Sequence, residues 1–376
     1  MYSFSNQIKE KMNWPTQRII IISRCFWDYY LHVFQKDYAY ELKNKHGADV
    51  IWIDRPTRNP FVWLRERKRT IDGILVLRPW SFHNDYDDFT IFDRLIFNIQ
   101  ISKYCKNKQS NTLWSICCIH PWLTKKKAFS IKIYWPGDYF DPIKEYEKYK
   151  DYDLVMPWVD IERIPNSYRG KIFLSSTCAG FEFTHFTNKN SLLEKITLPK
   201  RFENRVSYIG GLSFDRIDFA LVDKLASELP NTLFMFGVKS DGLSETECSK
   251  QDIIKKHSNI QFLEDLNYQE LAELVNYCQV GIIPYKISGQ NLRICPNKFF
   301  EYCSLGKKTI TTDIPAMSRF SPPAIIAKTH NQFIDILKRE LCLDTKTDEI
   351  LQLKEIAQYA TAKQSLIRIA SILNSN

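Results

Sequence analysis

Six times between residues 18 and 158 the chain returns to a short, unbroken apolar run: RIIIIS (18–23), DVIWID (49–54), GILVLRP (73–79), TLWSICCI (112–119), SIKIYW (130–135) and DLVMPW (153–158). A strand that is apolar on both faces needs a sheet covered on both sides, the setting of parallel strands joined by crossover helices. The intervening stretches YLHVFQKDYAYELKNK, FDRLIFNIQISKYCKN and PIKEYEKYK supply such helices. The same grammar restarts in the second half. RVSYIGGLS, NTLFMFGV, NIQFLED, VGIIPYK, KTITTD and AIIAKT read as strands, and RIDFALVDKLASEL, TECSKQDIIKKH, NYQELAELVNYC and NQFIDILKREL as helices. The pattern predicts an α/β chain of two doubly wound domains facing one another, residues 1–190 and 191–347. Helical residues, 348–376, close the chain.

Composition fits this reading: 376 residues, 44% apolar and 25% charged, are those of a globular chain of two ordinary domains. No run approaches the roughly 18 apolar residues of a spanning helix. The opening MYSFSNQIKEKMNW lacks the apolar core of a signal peptide, so a cytoplasmic protein is expected, working at most at the inner face of the membrane. Ten cysteines occur without C-x-x-C spacing, which points to buried thiols rather than a metal site or disulfides. Charge is uneven: residues 1–190 carry 29 Lys+Arg against 21 Asp+Glu, and the rest is nearly balanced. Two basic clusters follow aromatic residues, PFVWLRERKR (residues 61–69 at its core) and PWLTKKKAF (residues 122–129). Aromatic and basic side chains together suit an anionic membrane surface; plain solvated surface is the alternative. Nucleic acid is not expected as a partner, since no recognition motif accompanies the charge.

Ligands of parallel sheets collect where βα loops converge at the carboxyl ends of strands. In the second half Gly210 and Gly211 lie between a strand and a helix, a turn that lets amides approach phosphate oxygens or that is simply structural. Arg216 follows and can meet a diphosphate, or else pair with Asp215 or Asp218. Leu263 and Glu264 end a strand and can hold a nucleobase by backbone bonds. Tyr285 opens a long polar loop, IIPYKISGQNLRI, before the segment CPNKFFEYCSLGKK. That segment reads as a short helix begun at Pro296 and stopped at Gly306. Asn297 and Lys298 fall in its first turn, and Glu301 lies three residues on from the lysine. They form either an intrahelical ion pair worth a few tenths of a kcal/mol or the two halves of a clamp on a ligand with phosphate and hydroxyl groups.

The segment IIPYKISGQNLRICPNKFFEYCSLGKKTITTDIP resembles the donor-binding region of bacterial polysaccharide-type glycosyltransferases of the GT-B fold, which carry a pattern close to P-x-K-x-x-E-Y-x-x-x-G-K-P-V-V. Pro296, Lys298, Glu301, Tyr302, Gly306 and Lys307 match it, and Lys308 replaces the usual proline. YIGGLSFDRIDFALVDKLASELPNTLFMFG is similar to the family's first donor-domain unit, GFEFTHF to its interdomain segment, IYWPGDYFDP to a first-domain loop and YATAKQSLIRIASIL to its final helix, which implies that residues 348–376 are a helix packing back toward the first domain. The resemblance implies two Rossmann-like domains across a cleft and a nucleoside-diphosphate sugar, most simply a UDP-sugar, as co-substrate. It implies that Lys298 contacts the donor diphosphate and Glu301 the ribose hydroxyls. The acceptor would be a saccharide or lipid-linked saccharide of the cell envelope. No cofactor is expected, nor a metal, since the nearest D-x-D, in DYDDF (85–89), lies in a loop of the first half.

Many retaining members carry a further glutamate eight positions before the clamp glutamate; here that position is Arg293. An inverting reaction needs a general base from the first domain. Asp138, in the turn after SIKIYW, is the first candidate; Asp28, in FWDYY, is the second; His120, in CIHPW, is a weaker third. Each is also an ordinary turn or capping residue. A sugar-nucleotide epimerase of the same architecture and a non-catalytic nucleotide-binding scaffold are the rival readings.

Overall fold

The computed structural model describes residues 13–28, 35–105, 111–118, 120–137, 140–159, 161–197, 199, 201–213, 215–238 and 254–375. The chain forms two compact units. Among the described residues one holds 13–175 with 362–375, and the other 176–361.

The first unit is built on an eight-stranded sheet. Its strands are β1 (Arg18–Ser23), β2 (Asp49–Ile53), β3 (Lys68–Ile71), β4 (Ile74–Leu77), β5 (Asn111–Ile116), β6 (Ile131–Trp135), β7 (Leu154–Val155) and β8 (Lys171–Ile172), in the order β3-β4-β2-β1-β5-β6-β7-β8. All neighbours are parallel except β3 and β4. The predicted apolar runs are the central strands: Ile19 to Ile22 of β1 are buried, as double-sided coverage requires. On one face Tyr38 of the helix Gln35–His46 meets the rings of Trp114 and Trp135 at 5.9 and 4.8 Å. On the other, Ile20, Ile22, Phe97 and Leu123 share a core. The chain leaves β1 toward β2 and β4 on one side and later toward β5 and β6 on the other. The topological switch point therefore lies between the carboxyl ends of β1 and β5.

The second unit has six parallel strands, β9 (Asn204–Ile209), β10 (Thr232–Val238), β11 (Ile260–Glu264), β12 (Val280–Ile283), β13 (Lys308–Thr312) and β14 (Ala324–Ala327), ordered β11-β10-β9-β12-β13-β14. Here the switch point falls between β9 and β12.

Three expectations are corrected. The division comes at residue 175/176, not 190, because residues 177–192 are bonded into the second unit. Thr177 donates to the Cys295 carbonyl at 3.0 Å, and the buried Glu273 carboxylate accepts from the amides of Lys189 and Leu192 and the Ser191 hydroxyl. The final helical residues are two helices rather than one. Thr347–Tyr359 packs on Asn297–Ser304 in the second unit, whereas Ala362–Asn374 packs on Gln35–His46 in the first. Not all of RERKR is surface charge: Arg69 turns inward from the antiparallel edge strand β3 to reach the buried Asp54 at 2.9 Å and also Asp28, whereas Arg65, Arg67 and Lys68 stay exposed. The predicted helix TECSKQDIIKKH and the first residues of YLHVFQKDYAYELKNK lie largely outside the described residues.

Candidate functional site

The helix Asn297–Ser304 is fixed from both ends and from below. Pro296 is its N-cap, one place earlier than the first-turn position the sequence suggests, and no side chain caps that end. Gly306, at φ 69°, stops the helix: its amide donates to the Cys303 carbonyl and that of Lys307 to the Tyr302 carbonyl, both at 2.9 Å, a Schellman pair. Tyr302 ties the helix to β9, accepting from the Ile209 amide and donating to the Ser207 carbonyl, both at 3.2 Å. Lys308, which stands at the family's usual proline, does different work. Its ammonium is pulled above its ordinary pKa by Glu340 at 2.9 Å and Glu349 at 3.2 Å, against a burial cost that acts the other way.

These anchors set Lys298 into the crevice between β9 and β12. It is only 8% exposed and, among the described residues, has no carboxylate partner. No ion pair joins it to Glu301. Its ammonium instead donates to the Tyr285 hydroxyl and lies 4.9 and 4.6 Å from the ring centroids of Tyr208 and Tyr285. Two aromatic faces and a phenol offset part of the cost of burying a cation, but they supply no full counter-charge. Burial alone would raise the Tyr285 phenol; Lys298 and Arg216 overcome it and hold the phenol below its ordinary value. Tyr208, with burial dominant and two other phenols beside it, is pushed well above.

Gly210 completes the pocket wall. It has φ +119°, and a Cβ there would sit 3.3 Å from the Lys298 Nζ, so the lysine lies directly behind the glycine backbone. Tyr208 donates to the Gly211 carbonyl at 2.6 Å, pinning the turn. Arg216 is brought alongside by a short antiparallel contact: the Lys286 amide donates to the Arg216 carbonyl at 2.8 Å, and the Asp218 amide to that of Pro284 at 2.9 Å. Asp218 spends its carboxylate on the Leu221 amide and on His330. Glu301 is buried at 5% exposure, one helical turn from Lys298, and Asn297 is half-buried at the helix start. Leu263 and Glu264 end β11, the edge strand, two strands from β9, or about 10 Å. The structure thus brings Gly210, Gly211, Arg216, Tyr285 and Lys298 together; Tyr208 belongs with them and has no motif to announce it.

The first-unit candidates fare differently. Asp28 follows β1 at that unit's switch point with its carboxylate bound by Arg69. Asp138 lies outside the described residues. His120 is fully buried against Tyr86, Phe97 and Trp122; both ring nitrogens lack a hydrogen-bond partner, and burial pushes its pKa down to about 3. It is a core residue, not an accessible base. In DYDDF, Asp85 is spent on Arg24 and Arg55 at 2.8 and 3.0 Å.

No protein-family profile matches the sequence. Among solved structures, WaaG, a glycosyltransferase involved in lipopolysaccharide biosynthesis, superposes with a TM-score of 0.62 at 12% identity, covering 96% of this chain and 100% of its own. An Escherichia coli trehalose-6-phosphate structure bound with UDP-2-fluoro glucose superposes with a TM-score of 0.69 at 11% identity, covering 96% and 99%. The fold is GT-B. In sequence, TuaH of Bacillus subtilis (strain 168), provisionally named a teichuronic acid biosynthesis glycosyltransferase, is 25% identical over 146 residues. That match spans 39% of this chain and 36% of the relative's length.

Proposed function

We propose that the protein is a glycosyltransferase that moves a sugar from a nucleoside-diphosphate sugar, a UDP-sugar, to a saccharide or lipid-linked saccharide of the cell surface. The observation that carries this is Lys298, a buried ammonium with no carboxylate partner among the described residues, set behind a glycine turn at a topological switch point. A diphosphate is the counter-charge such a site lacks. Glu301, one turn on, offers two acceptor oxygens to a ribose diol, and the β11 end offers backbone groups to the base. As the glycosidic bond to the diphosphate breaks, charge grows on the leaving oxygen. Lys298, Arg216 and the Gly211 amide stabilise it without moving, while the Gly210 amide is held by the Gly237 carbonyl at 2.9 Å. The UDP-sugar analogue in one structural neighbour and the teichuronic acid biosynthesis role in the name of TuaH support donor and acceptor class. The base would come from the first unit, Asp138 before Asp28, in a single displacement that inverts the anomeric centre. The clusters at residues 61–69 and 122–129 would keep the enzyme near the inner membrane face. There Lys125 and Lys127 are exposed, while Lys126 is held by Asn98 at 2.6 Å.

A thermal-shift panel of UDP, GDP and dTDP tests the donor class. A shift selective for UDP supports it. A selective shift with another nucleotide reassigns the donor, and no shift with any removes the reading.

A further inference from the structure

The helix Ile91–Ser102 has apolar residues on both sides. Phe97 and Ile101 are buried in the core, while Ile91, Phe92, Leu95 and Ile99 face outward with exposures of 80, 71, 58 and 66%. Residues 91, 95 and 99 follow the i, i+4 spacing and so form a continuous outward ridge. A soluble surface seldom leaves such a ridge bare without a use for it. A second helix, Pro60–Glu66, repeats the feature with Phe61 at 80% and Leu64 at 57%.

Between these two helices the first unit has a half-open pocket of about 310 Å³. Its floor is apolar, from Ile53, Leu77 and Ile101, and Trp63 and Gln100 line its sides. Its charged lining is entirely basic: Arg67, Lys68, Arg78 and Lys103. Arg78 is spent on Glu66 and on the ring of Phe26, 4.3 Å away. Among the described residues the other three have no carboxylate partner. Arg67 and Lys103 lie over the rings of Trp63 and Tyr104 at 5.6 and 4.9 Å. Arg67 and Lys103 directly follow the two helices that present the bare apolar ridges, and Lys68 begins the adjoining edge strand β3.

We propose that this cavity takes the phosphate headgroup of an anionic phospholipid while the ridges of both helices enter the acyl boundary of the bilayer. Charge complementarity selects the occupant. A protein partner would suit the apolar ridges but not a cavity whose only unpaired charges are cations, and a free phosphate would leave the ridges in water. The two terms reinforce one another, since basic charge attracts the anionic leaflet and the inserted side chains add an attraction that salt does not screen. This goes beyond the basic clusters legible in the sequence. It places the contact on the ridge at residues 91–99 and in a defined headgroup pocket, and it does not depend on the donor site.

The test is co-sedimentation with phosphatidylcholine vesicles and with vesicles containing phosphatidylglycerol. The parent is compared with Lys68→Glu/Lys103→Glu and with Leu95→Ser/Ile99→Ser, each checked for an unchanged melting profile. The parent should bind the anionic vesicles far more strongly than phosphatidylcholine vesicles. The charge-reversed variant should lose about tenfold or more in partitioning. The ridge variant should lose binding that persists in the parent at high salt. Glycerol phosphate should not displace the parent from vesicles, because it lacks the acyl chains. Equal partitioning of all three proteins overturns the proposal. So does a ridge variant that turns a dimer into a monomer without changing vesicle binding, which would make the ridge a contact between copies of this chain. Unchanged UDP affinity in both variants keeps the outcome separate from that of the donor site.

Discussion

Lowering the pH from 8 to 5 should destabilise the first unit through His120, and His120→Phe should remove that sensitivity. In the folded chain the ring is fully buried, unpartnered and neutral, with its pKa pushed down by burial from 6.5 to about 3. A group depressed in the folded state contributes stability that is present above its unfolded pKa and lost as the pH falls toward the folded one. At pH 5 the unfolded chain gains most of a proton at this position and the folded chain almost none. The cost, taken from the two pKa values, is about 2 kcal/mol relative to pH 8. Any folded value below about 4 leaves that figure nearly unchanged, because the unfolded ring sets it. Phenylalanine keeps an aromatic body against Phe97, whose ring is stacked on His120 at 6.2 Å, and carries no proton. All nine tryptophans lie between residues 14 and 158, so tryptophan fluorescence reports unfolding of the first unit alone. Urea titrations at pH 8 and pH 5 on parent and variant give the double difference, in which other titrating groups cancel. The expected value is about 2 kcal/mol in favour of the variant at pH 5. An equal loss of stability in both proteins would show that the ring is solvated or already hydrogen-bonded, and would reopen its candidacy as a base.

Further outcomes follow from the donor site. Glu301→Gln should weaken UDP binding by about 1–3 kcal/mol with folding nearly intact, and calorimetry showing unchanged affinity would exclude the ribose role. Gly210→Ala should strain a backbone at φ +119° and crowd the Lys298 ammonium, so that UDP affinity falls further than the melting temperature explains. Lys308→Met breaks a buried pair, yet Glu340 keeps Arg339 at 2.8 Å, so the expected cost is about 1–2 kcal/mol rather than the 3–5 of a stranded charge, read by denaturant titration. Asp138→Asn should cut turnover about 100-fold or more at constant UDP affinity; near-parental turnover with saturating acceptor would pass the base role to Asp28.

What the sequence disclosed and what it hid have physical causes. β1 was legible because Ile19–Ile22 need cover on both faces, and the helix at 297–304 because Gly306 marks its stop. β3 was hidden because a charged edge strand, RERKRTI, has the composition of surface, and only its pairing with β4 turns Arg69 toward Asp54. The ridge at 91–99 was hidden because a helix apolar on two sides reads as wholly buried. The unit boundary depends on Glu273 gathering Lys189, Ser191 and Leu192 from about 80 residues away, which no local pattern encodes. At the site, Lys298 and Glu301 were visible from their spacing, which left an ion pair and a clamp both open. The surroundings of the lysine, Tyr208 on β9 and Tyr285 after β12, are assembled only by the fold.

On the proposed function a nucleoside diphosphate supplies the counter-charge that Lys298 lacks among the described residues. Titration calorimetry of UDP and of uridine against the parent and Lys298→Met tests it most directly. The parent should bind UDP and hold uridine far more weakly. The variant should lose about 1.5–3 kcal/mol toward UDP, little toward uridine, and melt no lower than the parent, since a costly buried charge has gone. Equal UDP affinity in parent and variant would contradict the account.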